Sequence, residues 1–274
     1  MSSFEAIVLG VVQGLTEFLP ISSTAHLRIV PAIAGWEDPG AAFTAVTQMG
    51  TMVAVLLFFR EDLLRISRAW LASLREPERR RELDARLGWY ILLGTIPIGL
   101  FGLAFKDPIE NGARDLYLIA TALIVLGLVL LLAERVGRRN RGIESLTARD
   151  GIGMGFAQAL ALVPGVSRSG VTISAGLFLG LERPAAARYS FLLSVPAVVL
   201  SGLLEFASIA GDDTPNNPSF APLAIATVLA FIVGYLSIAG LLRFLVTHST
   251  GIFVAYRVVL GILVFSLLGA NLIS

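Results

Sequence analysis

Gln13-Gly14-Leu15-Thr16-Glu17-Phe18-Leu19-Pro20-Ile21-Ser22-Ser23-Thr24-Ala25-His26 sets a carboxylate, two serines and an imidazole among apolar neighbours. A stretch of the same kind returns about 145 residues later: Gln158-Ala159-Leu160-Ala161-Leu162-Val163-Pro164-Gly165-Val166-Ser167-Arg168-Ser169. An ionisable side chain in hydrocarbon costs about 3 kcal/mol or more unless it faces a polar cavity and has a partner. The first stretch supplies an acid and an imidazole, the second a guanidinium. That division reads as one site built from two places in the chain.

The surroundings are those of a membrane protein. Of 274 residues, 55% are hydrophobic and 15% charged, and the mean hydropathy is +0.79. A soluble domain carries about a quarter charged residues. There is no cysteine, which excludes disulfides and thiolate metal sites, and two histidines make a histidine-rich zinc site an unpromising reading. A net charge of +1 carries no information about partners, and nucleic acid is not expected among them. No basic segment precedes the first apolar stretch, so that stretch is expected to belong to the fold and not to a cleaved signal.

Six segments approach the roughly 20 residues a helix needs to cross hydrocarbon: residues 41–59, 87–105, 116–133, 187–210, 218–242 and 252–273. Residues 4–33 and 151–181 are instead interrupted, at Leu19-Pro20-Ile21-Ser22-Ser23 and Val163-Pro164-Gly165-Val166-Ser167. Proline removes a backbone donor and clashes with the preceding turn. Irregular backbone at membrane depth is tolerated where it is buried in protein or lines a wet cavity. The expected fold is therefore all-α and polytopic: six transmembrane helices and two re-entrant helix–loop–helix pairs in a single domain spanning 1–274. Residues 60–86 hold eight arginines and residues 134–150 five, thirteen of the 21 Lys and Arg. The positive-inside rule puts both connections in the cytoplasm, and residues 106–115, 211–218 and the C-terminus outside. The first of these basic connections, which also carries six acids, is expected to be a solvated link near anionic lipid and not a binding site.

Gly10 and Gln13 match Gly155 and Gln158, and Pro39 matches Pro184, at one offset. Three spans separate the two prolines, an odd number, so halves 1–105 and 150–274 are expected to be inverted and to bring their broken pairs together near the midplane, where such repeats bind ligands.

Each polar residue has a bland reading beside the functional one. Glu17 can be an interfacial residue; facing a cavity, with Gln13 one turn earlier, it can hold Mg²⁺ or Ca²⁺ or act as a general base. Ser22, Ser23 and Thr24 can be helix caps, and the same geometry aims free N–H groups at an anion. His26 follows Ser23 by about one turn, where it can take the serine proton or protonate a leaving oxygen. Arg168 can snorkel to the surface. At a helix start with Ser167 and Ser169, and Thr172 one turn on, it makes an anion clamp whose planar fork suits two phosphate oxygens.

These residues resemble the undecaprenyl-diphosphate phosphatase, or bacitracin-resistance protein, family over essentially the whole chain. Gln13-x-x-x-Glu17 with Pro20-Ile21-Ser22-Ser23-Thr24-Ala25-His26 is similar to its first motif, and Pro164-Gly165-Val166-Ser167-Arg168-Ser169-Gly170-Val171-Thr172 to its second. Two positions depart from the commoner pattern: Gln13 stands where many members have Glu, and Ala25 where Gly is common. The resemblance implies hydrolysis of undecaprenyl diphosphate to the monophosphate and phosphate in the bacterial cytoplasmic membrane. It also implies a divalent cation at Glu17 and Gln13, a site open to the outer face, and compatibility with a homodimer. Ser23 is the expected nucleophile, activated by Glu17 or His26, with Arg168 stabilising charge and Ser22, Thr24, Ser167, Ser169 and Thr172 binding phosphate; a variant makes His26 the nucleophile. The rival is a polyprenyl-phosphate transporter, which would share the broken helices and the arginine clamp but needs neither nucleophile nor base.

Overall fold

The computed structural model describes residues 1–105, 114–211 and 220–273, with backbone alone at 41 and 203–211. These residues are helical apart from turns and one isolated bridge between Arg141 and Leu181. In chain order the helices are α1 Ser3–Phe18, α2 Ser23–Ala34, α3 Gly40–Phe58, α4 Arg60–Arg75, α5 Leu83–Ala104, α6 Leu116–Val136, α7 Ala148–Ala159, α8 Arg168–Phe178, α9 Arg183–Gly211, α10 Phe220–Thr247 and α11 Gly251–Gly269. Among the described residues, α5, α6, α9, α10 and α11 are long and apolar enough to cross a membrane, and α3 makes a sixth when taken with α4. The connections expected outside, with Asp212 and Asp213, fall mostly beyond the described residues.

Both expected breaks are present and have the same local cause. Leu19 and Val163 each precede a proline and each is extended, with φ/ψ of −66°/144° and −79°/126°. The ring of the next residue disfavours the helical region there. The helices before the breaks begin alike. Ser2 and Glu5 form a capping box for α1, and Thr147 and Asp150 form one for α7; each box satisfies two otherwise free N–H groups.

Small residues set how these helices pack. A side-chain carbon on Gly10 would lie 2.5 Å from the Ala226 carbonyl oxygen, and one on Gly155 would lie 2.3 Å from that of Gly94. Thus α1 meets α10, and α7 meets α5, backbone against backbone, as small residues permit. Between them Phe18, Phe59 and Phe191 pack with ring centroids 5.6 and 6.1 Å apart, edge-on or tilted as aromatic quadrupoles prefer.

The basic connection at 60–86 departs from the expected solvated link. It folds as α4, bent 71° from α3, then a 3₁₀ turn at Pro77–Arg81 and the start of α5. Its apolar residues recur at helical spacing, so one face docks on α5: Ile66 is buried, and Trp70 packs on Trp89 at 5.7 Å. Arginines between those positions obscure the pattern in a hydropathy reading.

Candidate active site

Two loops and two helix starts make the site. Ser22 (φ 74°, ψ 103°) caps α2 and Ser167 (φ 71°, ψ 111°) caps α8, each accepting from the N–H three residues on. Positive φ on a residue with a β-carbon is strained by about 1–3 kcal/mol, and such strain concentrates at functional sites. In each helix the N–H groups of the first two residues, Ser23 and Thr24 or Arg168 and Ser169, have no acceptor within the helix. Both caps line one open cavity of about 120 Å³, together with Gln13, Glu17, Ser23, Thr24 and Arg168. Two helix N-termini thus converge on a polar cavity, an arrangement that favours an anion.

Within the cavity the Ser23 hydroxyl donates to Glu17 Oε2 at 2.6 Å, and Gln13 Nε2 donates to the same oxygen at 3.2 Å. Gln13 Oε1 and Arg168 Nε are buried with no hydrogen-bond partner among the described residues. A buried donor left unpaired is costly, and the half-buried Arg168 that carries this one lines the cavity. Glu17 and Arg168 also line a smaller neighbouring cavity of about 20 Å³, whose walls include Phe18, Met52, Val55 and Phe191.

The loops grip each other. The Gly165 N–H donates to Thr24 Oγ1 at 3.4 Å, and Ser169 Oγ donates to the Leu19 carbonyl at 3.1 Å. Gly165 has φ +84° and sits so close to α6 that a β-carbon would lie 2.8 Å from the Ile119 oxygen. Over this crossing lies Arg257 of α11, wholly buried. Its guanidinium is within 3.1–3.3 Å of five carbonyls: Pro20 in the first loop, Gly165 and Val166 in the second, and Ala122 and Leu123 in α6. Sequence reasoning gave Arg257 no role. The available signal was an arginine set inside an otherwise apolar span, which calls for a buried partner.

Two expected placements differ. His26 does not meet Ser23. Its Nδ1 lies 2.7 Å from the Ser22 carbonyl, which can only accept, so Nδ1 carries a proton; Nε2 lies 2.7 Å from the Tyr256 hydroxyl. The ring is buried and lies outside the cavity lining, because α2 turns it toward α11 and away from α1. With both nitrogens engaged, the geometry favours neither His26 as nucleophile nor His26 as the base on Ser23. Thr172 likewise stays out of both cavities. It is fully buried, and its hydroxyl bonds the Arg168 carbonyl at 2.7 Å and Ser190 Oγ at 2.5 Å. Ser169 lines the smaller cavity and not the larger. Thr44 and Gln48 of α3 line the larger cavity without having been foreseen.

The sequence profile of the bacitracin resistance protein BacA matches residues 6–263. The chain belongs to the BacA family. Among its relatives, an undecaprenyl-diphosphatase of Nocardioides sp. is 56% identical over 98% of both chains. Those of Mycolicibacterium smegmatis and Chlorobaculum parvum are 54% and 53% identical over 99% or more of each chain. The chain and these relatives align over nearly the whole of each.

Proposed function

We propose that this BacA-family chain hydrolyses undecaprenyl diphosphate to undecaprenyl phosphate and inorganic phosphate, recycling the lipid carrier of cell-wall assembly and removing the target of bacitracin. The observation that carries this is the 2.6 Å hydrogen bond from Ser23 to Glu17 in a cavity that also receives the unpartnered Arg168. A transporter needs the arginine but has no use for a serine activated by a carboxylate.

Ser23 Oγ attacks the terminal phosphorus in line with the bridging oxygen, and its proton passes to Glu17. The bond to the bridging oxygen breaks, undecaprenyl phosphate leaves, and a phosphoserine remains for water to hydrolyse. Arg168 and the free N–H groups of the two helix starts stabilise charge on the phosphoryl oxygens. Ser22, Thr24 and Ser167 present hydroxyls to the same cavity, and Ser169 holds the two loops together.

A divalent cation fits the donors present. Gln13 Oε1 is buried and unpaired beside the Glu17 carboxylate, and hard cations prefer such oxygens. Gln13 and Glu17 would hold the ion, which when bound neutralises charge on the diphosphate. No cluster of three or more His, Cys, Asp or Glu residues occurs among the described residues, so the remaining ligands would come from substrate and water.

The same proposal includes re-entrant pairs α1–α2 and α7–α8, inverted halves 1–105 and 150–274, a homodimer, and residence in the bacterial cytoplasmic membrane with the site open outward. The repeat is supported by the matching caps at Ser2 and Thr147, the strained serines at 22 and 167, and the left-handed glycines at 35 and 180, all at one offset. The outward site is supported by Thr44 and Gln48, which lie in the half of α3 away from the arginines of α4.

The test is phosphate release from a polyprenyl diphosphate by purified protein in detergent, with and without EDTA, beside Glu17→Ala and Arg168→Ala. Release that needs the metal and disappears in both variants is expected. Folded wild-type protein that releases no phosphate would overturn the assignment.

A further inference from the structure

Helix α4 has an outward face whose orientation is fixed from within. On its inner side Ile66 and Ser73 are buried, Trp70 packs over Gly88 and against Trp89, and Trp89 Nε1 donates to Ser73 Oγ at 3.2 Å. Ion pairs hold its first two turns: Arg65 bonds Asp84 at 2.8 Å, and Arg188 of α9 bonds Asp62 at 2.6 Å. These contacts leave the helix no freedom to roll. What it turns outward is an apolar arc, Leu64, Leu71 and Leu74 at 54, 55 and 45% exposure. Beside it runs a polar arc holding Arg68, Arg75 and Glu61.

Two observations say what covers this arc. The axis turns 71° from α3, so where α3 crosses a bilayer α4 runs near its plane, as an interfacial helix does. The flank is also basic in a particular way. Arg65 and Arg79 are committed to acids. Arg68 and Arg75, beside the leucines, form no ion pair among the described residues. A soluble protein covering leucines would not need free guanidinia beside them, whereas an anionic headgroup layer does.

We infer that α4 is an in-plane membrane helix, with Leu64, Leu71 and Leu74 immersed at the acyl boundary and Arg68 and Arg75 binding the phosphates of anionic lipid. The inference does not rest on the phosphatase reading, since it concerns a surface away from the catalytic cavity.

The absence of cysteine makes the test direct. Single variants Leu71→Cys and Glu61→Cys are spin-labelled in the full-length protein and placed in nanodiscs of phosphatidylcholine with phosphatidylglycerol. Collision with oxygen is compared with collision with a water-soluble nickel chelate. At position 71 oxygen is expected to exceed nickel several-fold, and at 61 the order should reverse. Equal nickel access at both positions would overturn immersion. A label at 71 shielded from both agents would also overturn it, showing that protein covers the arc. Retention of phosphatidylglycerol over phosphatidylcholine is then read by native mass spectrometry, for wild type and for Arg68→Gln/Arg75→Gln. At least a two-fold fall in that preference is expected, and an unchanged preference would overturn the anionic assignment. Phosphate release by the same double variant, expected to be near wild type in detergent, keeps this result separate from the fate of the active-site proposal.

Discussion

At the residue scale, the roles divide according to which atoms are already occupied. Ser23 has one acceptor, Glu17, and otherwise faces the cavity. His26 has a carbonyl on one nitrogen and a phenol on the other. Nucleophilic attack by His26 would require breaking one of those bonds inside the protein, at about 1–3 kcal/mol for the group left unpaired. A phosphoenzyme trapped during turnover is therefore expected to be stable to acid and labile to base, as a phosphoserine is; an acid-labile phosphohistidine would end the Ser23 mechanism. Tyr256→Phe frees Nε2 without touching Ser23 or Glu17, and is expected to lower the rate less than about ten-fold while leaving the phosphoserine in place. The identities of the polar residues were legible in the chain because Glu, His and Arg are conspicuous in apolar sequence. Their directions were not. His26 sits three positions after Ser23, yet it points to α11, because the strained cap at Ser22 sets the helix phase and spacing does not encode a positive φ.

At the element scale, the breaks could be read because proline acts on its immediate neighbour, and Leu19 and Val163 are extended for that reason alone. What holds the two breaks together could not be read. The clamp is a side chain meeting backbone carbonyls, and any residue can supply a carbonyl. Arg257 supplies donors to the loops at Pro20, Gly165 and Val166, and to α6. Its removal leaves several buried carbonyls unpaired at about 1–3 kcal/mol each. Arg257→Met, which keeps the apolar volume, is expected to destabilise the protein by at least about 3 kcal/mol. In thermal unfolding in detergent this should be a large fall in Tm, with Arg257→Lys intermediate because one ammonium cannot span five acceptors. An unchanged Tm in Arg257→Met would mean that the loops are held by their own contacts, Thr24 to Gly165 and Ser169 to Leu19. Helix α4 was illegible for a different reason: charges are interleaved with its apolar positions, and its docking face appears only once Trp70 is seen against Trp89.

At the scale of the whole molecule, the site exists only because residues about 145 positions apart are brought face to face. Glu17 and Ser23 come from one end of the chain and Arg168 from the middle, and the cavity between them is lined by both. If the halves are inverted, the arginine-rich α4 and the α2–α3 connection must lie on opposite sides of the membrane, since α3 runs from one to the other. Charge alone assigns the sides: thirteen of 21 basic residues lie in the two connections placed inside. In a chain without cysteine, Glu37→Cys and Arg80→Cys report both sides, each residue being exposed. A membrane-impermeant maleimide is expected to label position 37 in intact cells, and position 80 only after the membrane is opened. That outcome puts the larger cavity, which is nearer the α2–α3 end of α3, in contact with the outside, where a carrier lipid is left as its diphosphate once it has delivered its cargo. Labelling in the reverse order would turn the cavity to the cytoplasm, and the chemistry of Ser23 and Glu17 would then have to act on diphosphates made there.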